Sequence, residues 1–170
     1  MRYLQQMKFV LLAGLLLAVS ACGFSLRSSD SLSANFSSIQ LSTQQPNSEL
    51  SRLIRRSLES SGVAVEISEF NGSNQELLSL TLGNEQLTSR PITVNPRARA
   101  AQHELRLELE VALSLSEQYL ISPETLFVER AYFEDIENLN GNQEEIEIIT
   151  SEMRRELGNQ LIRRLSAVSN

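Results

Sequence analysis

Between Leu105 and Leu115 the chain reads LRLELEVALSL, eleven residues in which every odd position is Leu or Val. The even positions are Arg106, Glu108, Glu110, Ala112 and Ser114. A strand turns successive side chains to opposite faces, so this period of two predicts a strand with one apolar and one polar face. The apolar face can leave water only beneath other elements, while the Arg106/Glu108/Glu110 face meets water or a polar partner. An all-helical fold is thereby excluded, and the chain must supply something to cover one side of a sheet.

Two amphipathic segments can provide that cover. After Pro46 and Asn47, Ser48 is placed to cap a helix, its hydroxyl accepting from an amide of the first turn. Leu50, Leu53, Ile54, Ser57, Leu58 and Ser61 follow at helical spacing, with Arg52, Arg55, Arg56 and Glu59 mostly on the other side. Gly62 stands where a left-handed helix end belongs. Near the end of the chain Ile146, Ile149, Met153, Leu157, Gln160, Leu161, Leu165 and Val168 recur at three and four residues. A turn is expected before them at 138–142 (NLNGN), with Glu144, Glu145 and Glu147 at the helix start and Arg163 and Arg164 near its end. That polarity complements the helix dipole.

The remaining strands read less strongly. Ile39 and Leu41 share a face of a short strand within 36–41, and Leu78, Leu80 and Leu82 alternate in another that ends at Gly83-Asn84. Leu87 to Arg90 can prolong the latter, while Val63, Val65 and Ile67 suit a short extended segment. Pro91 and Pro96 lie too close together for a central strand, so 91–100 reads as a loop with an edge-like piece. Residues 118–123 read as a connection to a last strand, 125–133. The sum is an α+β fold, with two amphipathic helices packed on one face of a four-stranded, mostly antiparallel sheet. Its expected core joins Leu53, Ile54 and Leu58 to Leu105, Leu107, Leu109, Val111 and Leu113, and to Met153, Leu157, Leu161 and Leu165.

The start of the chain carries a different signal. Arg2 and Lys8 precede an apolar stretch from Phe9 to Val19, interrupted only by Gly14. Its length suits a signal-peptide core and falls short of the roughly 20 apolar residues of a membrane span. Val19-Ser20-Ala21-Cys22 resembles a bacterial lipobox, and Cys22 is the one cysteine of the sequence. Lipidation, as an N-palmitoyl and S-diacylglycerol cysteine, would remove a free thiol from an oxidising compartment. Several acyl chains hold a domain to a bilayer stably where one is marginal. Lipoproteins kept at the inner membrane usually carry Asp after the cysteine, so by that resemblance Gly23 permits sorting to the outer membrane. The expected organisation is a cleaved signal peptide at 1–21, a lipidated N-terminus at 22–35 with a short strand and a Ser-rich linker, and one domain at 36–170.

With Arg2 and Lys8 removed, every cation of the mature chain is an arginine, and the 21 acids outnumber them. That acidic balance argues against nonspecific nucleic-acid binding. Catalytic signatures are also missing: no G-x-S-x-G, phosphate-binding glycine loop or H-E-x-x-H occurs. The one histidine, His103, begins the long strand beside Glu104 and reads as a surface residue. Glu134, Asp135 and Glu137 lack the spacing of a calcium loop. No cofactor, metal or enzymatic activity is expected.

Cys22-Gly23-Phe24-x-Leu26-Arg27 after the lipobox resembles the start of the LptE lipoproteins of lipopolysaccharide assembly. Three further pieces follow in the family's order: Ser61-Gly62-Val63 closing the first helix, Arg130-Ala131-Tyr132-Phe133-Glu134-Asp135, and Glu152-Met153-Arg154-x₅-Gln160-Leu161-Ile162-Arg163-Arg164-Leu165. The resemblance implies two helices against a four-stranded sheet. It further implies a component of the outer-membrane lipopolysaccharide translocon that plugs the lumen of an LptD-like β-barrel, assists its assembly and binds lipopolysaccharide. An unrelated lipoprotein adaptor of another envelope machine stays open as the alternative, and a lipoprotein hydrolase stands further off.

An acidic domain must meet the phosphates of lipopolysaccharide through local cations. Arg90, Arg97 and Arg99 form the densest such group among the loops, with few acids nearby before Glu104. Arginine forks suit phosphate oxygens. Contact with acidic residues of a barrel wall is the competing use of the same arginines. Arg55/Arg56, Arg154/Arg155 and Arg163/Arg164 sit among helical glutamates and read as paired, solvated faces.

Overall fold

The alternating segment forms the long strand on which the rest of the sheet is built. A computed structural model describes residues 32–33, 36–68, 78–94, 100–116, 118–134 and 139–168. The elements run β1 (Ser38–Thr43), α1 (Glu49–Ser60), β2 (Ala64–Ser68), β3 (Leu78–Leu82), β4 (Gln86–Val94), β5 (Ala100–Leu115), β6 (Gln118–Phe133) and α2 (Leu139–Val168). β5 pairs with β6 along one edge, while its other edge is shared by β3 near Leu115 and by β4 toward Ala100. Beyond β3 lie β1 and then β2.

The sheet therefore holds six strands, not the four expected. One addition is β2, which pairs in parallel with β1, Ile39 facing Val65. The other arises because Gly83–Glu85 divides β3 from β4. There the Gly83 N–H donates to the Glu110 carbonyl at 2.9 Å, and a Cβ on Gly83 would stand 3.1 Å from that of Glu110. β1 also runs parallel to β3, whereas the three pairings within β3 to β6 are antiparallel.

Boundaries moved where local signals were overruled. β6 starts at Gln118, so the segment read as a connection is strand. It accommodates Pro123 through a bulge, since Ala112 alone stands between the pairs Val111–Glu124 and Leu113–Ile121. A proline lacks the N–H that a regular ladder would require there. α2 begins at Leu139, so the expected Asn-Gly-Asn turn is helix, and Asn142 is buried. The 30-residue helix carries no acid in its first turn and no base in its last, so the expected charge complement to its dipole is not realised at its ends.

Both helices cover the same face of the sheet. Leu50, Ile54 and Leu58 of α1 and Met153, Leu157, Leu161 and Leu165 of α2 are buried with Leu105, Leu107, Leu109, Val111 and Leu113. Leu53 departs from expectation and is only half-buried. It packs against Gly158, where a Cβ would come within 2.7 Å of its Cδ2, so the missing side chain lets the helices approach. Ser48 caps α1 by accepting from the Ser51 N–H at 3.0 Å, and Gly62 takes the left-handed φ of +78°. No described helix is long and apolar enough to cross a membrane.

Candidate functional site

Period-two alternation leaves the even residues of β5 on the face that no described helix covers. Arg106 is central there, across from Glu129 on β6 and next to Phe127. Its Nη1 donates to Glu129 at 2.6 Å, its Nε donates to Glu108, and its guanidinium lies 4.0 Å from the Phe127 ring centroid. The Glu108 hydrogen bond, with that to Glu129 next, raises the Arg106 pKa above its ordinary value. A cation fixed by two carboxylates over an aromatic face is preorganised, and the strip is polar without being strongly charged. Phe127 itself stays 45% exposed. Such a surface suits a partner that offers polar groups together with small apolar contacts.

Arg90 lies on this face too, directly opposite Glu104. Its Nε donates to that carboxylate at 2.7 Å, so the acid that seemed remote in sequence is its partner. Arg90 remains largely exposed but is not a free cation. Arg97 and Arg99 lie outside the described residues, as do Cys22 and the whole of 1–31. The three arginines are thus not brought together by the described part of the fold.

The other arginines are mostly engaged as well, though seldom with helical neighbours. Arg55 faces Glu59 one turn on at 3.9 Å. Arg154 instead binds Glu85 at 2.8 Å and Glu49 at 2.7 Å, tying α2 to the β3–β4 junction and to the start of α1. These groups rim a cleft of about 520 Å³ with Pro46, Ser48 and Leu87. Along the α2–β6 seam, Arg164 forks onto Glu124 with two bonds of 2.8 Å, while Arg130 pairs with Glu156. The Glu124 hydrogen bonds raise the Arg164 pKa.

His103 occupies the far end of β5. It stacks on Tyr132 with centroids 5.4 Å apart, its Nε2 is 3.2 Å from Glu134, and its Nδ1 is 3.5 Å from the Ser89 hydroxyl. The trio has the residue types of a serine hydrolase, but the Ser–His distance sits at the limit of a hydrogen bond. The clefts beside Arg154, Glu110, Leu120 and Gln160 are lined by other residues. Stacking and bridging here fasten the ends of β4, β5 and β6 together. Among the described residues, no group of three His, Cys, Asp or Glu side chains is arranged to hold a metal ion.

The family model described as LptE, lipopolysaccharide-assembly, matches residues 36–165. The chain is 28% identical over 161 residues to the LPS-assembly lipoprotein LptE of Photorhabdus laumondii, a match covering 94% of this chain and 86% of that one. Its identity to the protein of the same name from Pectobacterium atrosepticum is 25% over 162 residues, covering 95% and 86%. Among solved structures, the rare lipoprotein B of Shewanella oneidensis superposes with a TM-score of 0.66 at 22% identity, over 76% of this chain and 94% of that one. That likeness establishes the fold.

Proposed function

Because the chain belongs to the LptE family of lipopolysaccharide-assembly proteins, we propose that it is a non-catalytic outer-membrane lipoprotein that assembles lipopolysaccharide as the partner of an LptD-like β-barrel. The family match carries this reading, since it spans β1 to the last turns of α2. Residues 1–21 are the cleaved signal, Cys22 is the acylated N-terminus, 22–35 lead into the domain with Leu32 already packed in its core, and 36–170 form the domain that seats in the barrel and assists its assembly. The uncovered sheet face supports that seating. A large barrel has a polar lumen, and the Arg106–Glu108–Glu129 strip with Phe127 offers fixed charges that match polar wall residues without an unpaired cation.

Lipopolysaccharide meets the chain at the end of the β4–β5 hairpin. Arg90 is held by Glu104 and takes a supporting part, which leaves Arg97 and Arg99 as the cations offered to phosphate. Replacing both by Glu should weaken lipopolysaccharide binding by the detergent-solubilised chain about tenfold or more at low salt, as lost charge-assisted bonds do. Melting should hardly move. Unchanged binding would place the ligand elsewhere. Arg90→Ala should have the smaller effect. An adaptor role in another envelope machine is the rival reading, and the identity of the co-isolated partner separates the two.

A further inference from the structure

Pairing register decides which parts of the chain share an end of the sheet. β1 runs parallel to β3 with Gln40 opposite Ser79, and β3 runs antiparallel to β5 with Leu78 opposite Leu115. The start of β1 and the β5–β6 hairpin therefore lie at one end. β2 begins there opposite Ser38, and Gly62 sits against Ser33. α2 finishes there as well, since Ala167 and Val168 line a cleft with Leu120, Ile121 and Pro123.

The hairpin at this end carries open apolar side chains on both sides of the polar sequence Ser116-Glu117-Gln118. Leu115, Tyr119 and Leu120 are 45%, 57% and 37% exposed. Between Ala112 and Pro123 the sequence carries a single charged residue, Glu117, whereas β5 before that point alternates leucine with Arg and Glu. Ser116 turns the hairpin with a positive φ of 55°.

The tether enters at the same end. Leu32 is buried, and its carbonyl accepts from the Phe36 N–H at 2.9 Å, so the chain is fastened to the domain from residue 32 onward. Only residues 22–31 separate that point from Cys22, a reach of at most about 35 Å and a root-mean-square span of roughly 17 Å if flexible. The sixteen residues of β5 carry the other end of the sheet about 50 Å further away. A bilayer holding Cys22 is thus presented to the hairpin tip at high effective concentration, so even a weak contact would be populated.

We propose that Leu115, Tyr119 and Leu120 dip into the headgroup region of the bilayer that holds acylated Cys22, as a second and non-covalent contact with the lipid surface. The inference rests on the proposed lipidation of Cys22. A tyrosine ring with flanking leucines suits this boundary, one edge apolar and the hydroxyl in water. The contact fixes which end of the domain lies beside the lipid surface, with the β4–β5 hairpin at the far end of the sheet.

The chain has no tryptophan, so a single substitution installs a unique reporter. Lipidated Tyr119→Trp protein would be reconstituted into phosphatidylethanolamine/phosphatidylglycerol vesicles with plain or brominated acyl chains. The expected result is flotation with the vesicles and about twofold quenching by the brominated lipid, as for an interfacial aromatic. Phe133→Trp, at the opposite end and 70% exposed, should be unquenched. Leu120→Trp is a second probe should Tyr119→Trp fold poorly. A floating chain whose tip reporters are quenched no more than Trp at 133 overturns the tip contact and leaves the lipid anchor standing. A chain that does not float overturns the anchor and this inference with it.

Discussion

Leu109→Ala is expected to destabilise the domain by about 2–5 kcal/mol, the usual range for truncating a buried leucine. The side chain is 2% exposed and sits mid-strand opposite Leu126. The helices above it are held by their own contacts, Gly158 against Leu53 and Arg154 against Glu85 among them, so the cavity can only partly collapse. Glu110→Ala, one residue on, removes an exposed side chain from the other face and should stay within about 0.5 kcal/mol. Urea unfolding of the two variants measures the contrast. Equal midpoints would contradict the burial of Leu109, and a reversed order would mean that the two faces of β5 have been exchanged.

Cys22→Ser is expected to abolish flotation of the purified chain with barrel-free lipid vesicles while leaving its melting temperature unchanged. One acyl chain binds a bilayer with a constant of only about 10⁴ M⁻¹, and further chains on the same residue make the attachment lasting. Losing all of them leaves the hairpin tip alone, too weak to hold the domain. The described core draws on Leu32 and on residues beyond it, so folding has no need of the anchor. Mass spectrometry of the unaltered protein should find Cys22 acylated and residues 1–21 gone. A purified Cys22→Ser chain that still floats with those vesicles would contradict the lipobox reading.

What could be read from sequence followed the strength of the periodic signal. The β5 register was legible because a slip by one residue would have turned five buried side chains into water. Ser48 and Gly62 were legible because capping chemistry is local. Leu53 was misjudged because helical period alone gives the face and not the depth, and depth at that point is set by Gly158 on another helix. The Asn-Gly-Asn run at 140–142 has poor helix propensity, yet tertiary contacts bury Asn142 and carry the helix through it. Pro123 hid the first half of β6, since only the register with β5 reveals the bulge that tolerates it.

The charged surface was least legible. Glu104 stands fourteen residues from Arg90, and nothing local selects it; the hairpin register does. Arg154 finds partners 69 and 105 residues away, chosen by how α2 lies across the β3–β4 junction. Reading its neighbours as helical pairs missed this because i to i+4 spacing describes one helix and not its packing. Phe127 beneath Arg106 was likewise invisible, since the last strand shows no charge pattern that would mark a cation partner.

The most direct test of the central claim is gentle detergent extraction of the native membrane with the tagged, lipidated chain, followed by identification and counting of what comes with it. Membership of the lipopolysaccharide-assembly family and a fixed, polar sheet face predict one large β-barrel at equal stoichiometry, together with bound lipopolysaccharide. Recovery of the chain alone, or with the components of a different envelope machine, would contradict the account.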